Sequence, residues 1–279
     1  MTVSLLAYLL IPLFSAVLIQ FISRNKKNFA DIIGNITLFA GLLNITYLIF
    51  NPSNFKTIVG GISRSYIYPI AKLSISHIAQ DTLTLVMILM IYLVAFAVSS
   101  FSSGFFTKEK NHHHFHSLIL ISVSAMCGIV MAGDFFTLYI FMEALAITSL
   151  ALIAFDNNEK GLKSAIKYFF LTFPASLLIL FAIAILLFTT GTFSFATMTE
   201  MTKPLSARNL PFPVLIAAGF LLVGFLIKSG IFPFHAWKVD VYEGTYSPVS
   251  AFLSGIVTKV FGLYAIIKIT ILFNFFDLK

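Results

Sequence analysis

The chain has 279 residues, of which 59% are hydrophobic and only 10% charged, with a mean hydropathy of +0.97 and a net charge of +7. A soluble domain of this size carries about 25% charged residues, so too few charges remain here to cover a water-facing surface. The basic excess sits mostly in loops between apolar blocks, which suits a membrane protein and gives no reason to expect nucleic-acid binding.

The apolar blocks have about the length that crosses a bilayer, near 20 residues. The first, Val3 to Ile22, is too long for the hydrophobic region of a signal peptide. Arg24, Lys26 and Lys27 follow it where a cleavage site would lie, so it reads as a retained helix. The spacing predicts span one over about Leu5–Ile22 and span two from about Ile32 to Phe50, stopped at Asn51-Pro52. The longest polar stretch follows, Asn51 to Ser76, inside a loop expected at 51–80. Gly60-Gly61 and the alternation around Tyr66 and Lys72 suggest two short extended segments there.

Span three is expected from about Asp81 to Ser103, before a polar loop from Lys108 to His116. The apolar run Ser117 to Phe155 is too long for one helix. Gly133-Asp134 divides it, with Gly as a stop and Asp as an N-cap. Span four is then about Ser117–Ala132 and span five about Phe135–Phe155. Span six covers about Leu162–Thr189, and a Thr-, Ser- and Pro-rich loop runs from Thr190 to Pro211. Span seven starts near Phe212 and meets Gly230 and Pro233, which interrupt an ordinary helix. Span eight is about Pro248–Phe275. The fold class expected is an all-α polytopic membrane protein of about eight spans. The distribution of Lys and Arg favours the first loop, Lys108/Lys110 and Lys160/Lys163 on the cytoplasmic side, with the 51–80 loop outside.

The charges that stand out inside the apolar blocks are Glu143 in span five, Lys228 at the break of span seven, and Lys259 in span eight. One charge at the centre of an isolated spanning helix costs about 2.5–3.5 kcal/mol on insertion scales. Facing charges, or a hydrated cavity, lower that cost. Two readings stand side by side. Glu143 and Lys228 form a fixed ion pair that only holds helices together, or they form a proton relay. Burial disfavours the charged form of either group and pairing favours it, so a partner that moves away makes the lysine give up its proton. The broken helix favours movement at membrane depth. His235 is either a relay group or a hydrogen-bonded histidine near the interface.

Other signals are weaker. His112, His113, His114 and His116 read as a solvated loop beside Lys108 and Lys110 rather than a metal site. His77 and His235 give no support for haem. The lone Cys127 offers neither a disulfide nor a zinc or iron–sulfur framework, so no cofactor is expected. Lys163 reads as an interfacial snorkelling residue, Lys167 as one that reaches further in, and Lys268 as a lysine within reach of the far interface.

The segment Lys228-Ser-Gly-Ile-Phe-Pro-Phe-His-Ala-Trp237, then Ser247-Pro-Val-Ser-Ala251 and Thr258-Lys-Val-Phe-Gly-Leu-Tyr264, resembles the antiporter-like membrane subunits of respiratory complex I, Mrp-type Na⁺/H⁺ antiporters and membrane-bound hydrogenases. Gly133-Asp-Phe-Phe-Thr-Leu-Tyr-Ile-Phe-Met-Glu143 resembles the family's fifth helix. The resemblance covers roughly Ile58 onward, and its motifs are specific in combination. It implies that Glu143 is the helix-five glutamate, Lys228 its helix-seven partner and Lys259 the helix-eight lysine that passes protons on. It matches His235 to the histidine of the Phe-His-x-Trp motif and Lys167, less closely, to a helix-six lysine. Where the family usually continues with Leu-Pro-Asp-Ala-His, this chain has Lys238-Val-Asp240-Val-Tyr242, and Ser254 stands near a position where some members carry histidine.

The family contains two inverted five-helix repeats after three leading helices. Residues 1–116 then correspond to the leading helices and 117–279 to the first repeat. The implied function is translocation of H⁺, or exchange of Na⁺ for H⁺, in a multi-subunit complex of the cytoplasmic (inner) membrane. Its partners would be the lipid bilayer, other membrane subunits and a separate chain carrying the second repeat. A self-contained solute transporter, or a structural subunit with an inert ion pair, is the alternative.

Overall fold

The computed structural model describes residues 5–22, 27–50, 82–106, 112–156, 158–202 and 210–273. The extended segments expected between Asn51 and Ser76 lie outside these residues, as do Lys108 to Lys110 and His77.

The described chain is a helical bundle. Helices α1 (Ala7–Ile22), α2 (Lys27–Phe50), α3 (Thr82–Phe105), α4 (His112–Met131), α5 (Phe135–Ile153) and α6 (Glu159–Thr190) follow one another. A short α7 (Phe195–Thr202) precedes α8 (Phe212–Ser229), α9 (Ala236–Gly244), α10 (Ser247–Phe252) and α11 (Ala265–Leu272). Two π turns, Leu253–Val257 and Val260–Tyr264, join α10 to α11 in one helical run. Seven of these segments are long and apolar enough to cross a membrane: α2 to α6, α8, and the run Ser247–Thr270. Helix α1 is apolar but shorter: its 16 residues rise about 24 Å at about 1.5 Å per residue, below the roughly 30 Å hydrocarbon core. The chain is thus an all-α polytopic membrane protein.

Cross-helix hydrogen bonds set the order of the first helices. Ser124 on α4 donates to the Leu9 carbonyl at 2.7 Å, and Ser117 donates to the Ala16 carbonyl at 3.0 Å. α1 and α4 therefore run antiparallel in close contact. Tyr92 on α3 donates to the Tyr8 carbonyl at 2.9 Å. Small residues allow such approach, as expected where lipid gives helices no hydrophobic drive to associate. A Cβ at Gly41 would lie 2.1 Å from the Tyr92 ring, and one at Gly128 would lie 2.4 Å from the Phe141 ring. Helix α4 is the most enclosed, with 83% of its spanning window buried.

The Gly133-Asp134 division holds, with Asp134 as the expected N-cap. Asp134 accepts from the Thr137 backbone N–H at 2.7 Å and from the Thr137 hydroxyl at 2.8 Å, capping α5. An antiparallel bridge, Asp134 to Ser194, ties this turn to the start of α7 through Phe135 N to Phe193 O and Phe195 N to Gly133 O. Helix α7 corrects the expectation of a continuous loop from Thr190 to Pro211. Its eight residues carry Phe195 and Met198 into the core, so a locally apolar stretch folds where Thr and Pro suggested none.

The histidine cluster also departs from expectation. His112 to His116 open α4 rather than form a solvated loop. His116 is buried, with Nε2 2.7 Å from the Asp31 carboxylate of α2 and Nδ1 3.1 Å from the Ser99 hydroxyl of α3. The helix extends back to take in a histidine whose two ring nitrogens find partners on two other helices.

Candidate functional site

The chemistry gathers where α8 stops. Gly230 adopts φ +58°, and its N–H bonds to the Ile227 carbonyl while the Ile231 N–H reaches the Leu226 carbonyl. This is a Schellman-type end, which needs a residue free to enter the left-handed region. Trp237, in the first turn of α9, donates its indole N–H to the Ile227 carbonyl at 3.1 Å. The break therefore finds partners within the protein for the Leu226 and Ile227 carbonyls, as an interrupted helix in an apolar surrounding requires. Trp237 is itself held edge-on by Tyr168 of α6, with ring centroids 5.2 Å apart.

Lys228 lies one residue before this end, in the last turn of α8. Its ammonium is 2.7 Å from Glu143 Oε1 on α5. The lysine side chain is 1% exposed and the glutamate 29%, so the pair is asymmetric: a buried cation faces a carboxylate that still reaches the edge of the packed interior. The helix C-terminus adds a favourable partial negative charge behind the lysine. The ammonium also sits 5.5 Å from the centre of the Phe261 ring, in the second π turn. Spans five, seven and eight thus converge on one ammonium group. The close approach of the last two depends on Gly262, where a Cβ would come 2.1 Å from the Ser229 side chain.

The remaining sequence-derived residues are placed around this centre without touching it. Lys259 lies between the two π turns, on an exposed position, and donates to the Ser254 carbonyl. His235 is exposed at the break, its ring 5.7 Å from that of Phe232. Lys167 does not turn toward Glu143. It pairs with Asp240 of α9 at 2.9 Å, both groups being about half exposed. The neighbouring Ser164 donates to the Asp240 carbonyl at 2.8 Å, so the start of α6 clamps α9. Asp240 was visible in the sequence only as part of a departure from a motif, and nothing in the local pattern links it to Lys167. Among the described residues, no three His, Cys, Asp or Glu side chains gather to hold a metal ion.

Residues 132–279 match the family model described as NADH:quinone oxidoreductase/Mrp antiporter, transmembrane. The chain is 32% identical over 155 residues to NADH-quinone oxidoreductase subunit N of Desulforudis audaxviator, covering 56% of this chain and 30% of that protein. It is 26% identical over 198 residues to an Na(+)/H(+) antiporter subunit of Alkalihalophilus pseudofirmus, covering 71% of this chain and 39% of that protein. Its fold superposes on a chain of the Mrp complex from Dietzia sp. DQ12-45-1b with a TM-score of 0.81 and 20% identity, over 98% of this chain and 50% of that one. The chain therefore spans well under two thirds of the length of the relatives it matches. With the family model matching more than half of its residues, this chain belongs to the NADH:quinone oxidoreductase/Mrp antiporter transmembrane family.

Proposed function

We propose that this chain is an ion-translocating, antiporter-like subunit of a multi-subunit complex in the cytoplasmic membrane, moving H⁺ or exchanging Na⁺ for H⁺. The observation that carries the reading is the Lys228–Glu143 contact at a helix break, with the lysine 1% exposed. Removing one partner of such a pair leaves an uncompensated charge at a cost of about 3–5 kcal/mol. A modest displacement of Glu143 therefore changes strongly how well the site tolerates a protonated lysine. The glutamate is the more accessible partner, and α8 ends beside it, so the elements suited to move are the ones that carry the charges.

In this reading, proton transfer runs from Glu143 through Lys228 toward Lys259, and His235 and Lys167 serve the edges of the route. The Lys228 ammonium loses an N–H bond when Glu143 withdraws, and the amine takes a proton again when the carboxylate returns. Residues 1–116 act as a scaffold and 117–279 as the translocating repeat. A partner polypeptide supplies the second five-helix repeat, beside other membrane subunits.

The test uses the complex that co-purifies with the chain, in sealed membrane vesicles. Lumenal pH is followed with a dye after a Na⁺ pulse or addition of the complex's own electron donor. Lys228→Ala and Glu143→Ala should each abolish pH change in assembled complex. Undiminished H⁺ movement in both would sink the relay and leave an inert ion pair.

A further inference from the structure

Lys238 is a further charge close to the helix break that carries Lys228. It belongs to the first turn of α9, directly after Trp237. Its aliphatic stem crosses the break: a Cβ at Gly230 would lie 2.6 Å from Lys238 Cε and 2.9 Å from its Cδ. Gly230 is two residues after Lys228, so the stem of Lys238 runs over the end of α8. Partial burial, and after it the positive charge of Lys259, push the Lys238 ammonium below the usual lysine range. Lys238 is only partly exposed, and repulsion between cations strengthens as water is excluded. Glu143 is already engaged by Lys228, and Asp240 by Lys167. No histidine follows His235 in the chain, and His235 itself faces outward against Phe232.

We propose that Lys238 is a further residue of the ion pathway, carrying the proton between Lys228 and Lys259 across the helix break. The inference rests on the translocation reading above. The step balances simply. An N–H bond of the Lys228 ammonium breaks and one forms on the Lys238 amine; the lone pair stays on Lys228 Nζ and the positive charge travels with the proton. Repulsion supplies the ordering. While Lys259 is protonated, Lys238 is disfavoured as a cation and stands ready as an amine. Once Lys259 has passed its proton on, Lys238 can hold one, and it then repels the next proton forward. Glycine at 230 serves this as well as the turn, because any side chain there would push the Lys238 stem off the break.

The experiment places Lys238→Met, Lys238→Arg and Lys238→His in the whole complex, in the same vesicle assay, with H⁺ movement normalised to assembled subunit. Methionine keeps an apolar stem over Gly230 and removes the charge. Arginine keeps the charge and does not give up its proton. Histidine restores a titratable group with a lower ordinary pKa. A carrier predicts that Met and Arg each slow H⁺ movement by at least about 10-fold, and that His recovers part of it with the optimum moved toward acid pH. Near-normal movement with Arg would show a fixed positive charge that only tunes the field, and would overturn the proposal. So would a His variant no better than Met. Lys228→Met runs alongside. If it transports normally, the translocation reading itself has failed; if it is inactive while Lys238→Arg is normal, only the role of Lys238 has failed.

Discussion

The leading helices and the region around the break solve the same problem, polar groups in an apolar bundle, in opposite ways. Among α1 to α4 the polar contacts are mostly neutral and closed: serine or tyrosine hydroxyls donate to carbonyls of a neighbouring helix. A charged group there, Asp31, meets His116 close to the start of α4. Around the break, full charges face each other, a helix stops beside them, and two π turns interrupt the neighbouring span. Neutral closed bonds make a scaffold with one arrangement. Charges next to interrupted backbone make an element with more than one accessible arrangement, as π turns and broken helices commonly do at functional sites. The difference says which half of this chain should respond to ions and which should merely hold.

That contrast can be broken by substitution, beginning with the largest effect. Lys228→Met leaves the Glu143 carboxylate without its cation, so H⁺ movement should fall at least about 100-fold and the complex should lose about 3–5 kcal/mol of stability. Vesicle flux and thermal unfolding in detergent measure the two separately. On the scaffold side, His116→Ala should destabilise by about 1–3 kcal/mol, because Asp31 and Ser99 lose a buried partner. Flux per assembled complex should stay within about two-fold, and a collapse of flux with stability intact would erase the distinction between the two regions. Gly230→Ala should cost about 1–2 kcal/mol for the left-handed backbone. It should also lower flux, because its methyl meets Lys238. Trp237→Phe keeps the ring against Tyr168 and removes the bond to Ile227, for about 0.5–1.5 kcal/mol. Lys167→Ala should have the smallest effect on stability, about 0–1 kcal/mol, since its pair with Asp240 is half exposed.

Much of this was legible in the sequence, for identifiable reasons. Long apolar blocks, Gly133-Asp134 as a stop and cap, and Gly230 with Pro233 as a break are local signals, and local signals fix where helices begin and end. Glu143 and Lys228 stood out because a charge amid Leu, Ile and Phe is costly unless answered. What stayed hidden was pairing at a distance. Nothing near His116 shows that Asp31, 85 positions earlier by number, will meet it, so a run of histidines beside lysines reads as loop. Lys167 read as an inward-reaching lysine because its helix position was visible and its partner on α9 was not. Helix α7 was missed because Thr and Pro around it outweighed the few apolar residues that bury. Lys238 passed as a departure from a motif, and its position over Gly230 depends on how α9 folds back across α8.

The central claim is that Glu143 and Lys228 move protons rather than merely join helices. The double variant Glu143→Gln, Lys228→Met tests it most directly, because it removes both charges together and leaves no uncompensated ion. The complex carrying it should assemble and unfold close to the wild-type temperature, yet show no H⁺ movement in sealed vesicles. Normal H⁺ movement by that assembled, charge-free pair would contradict the account.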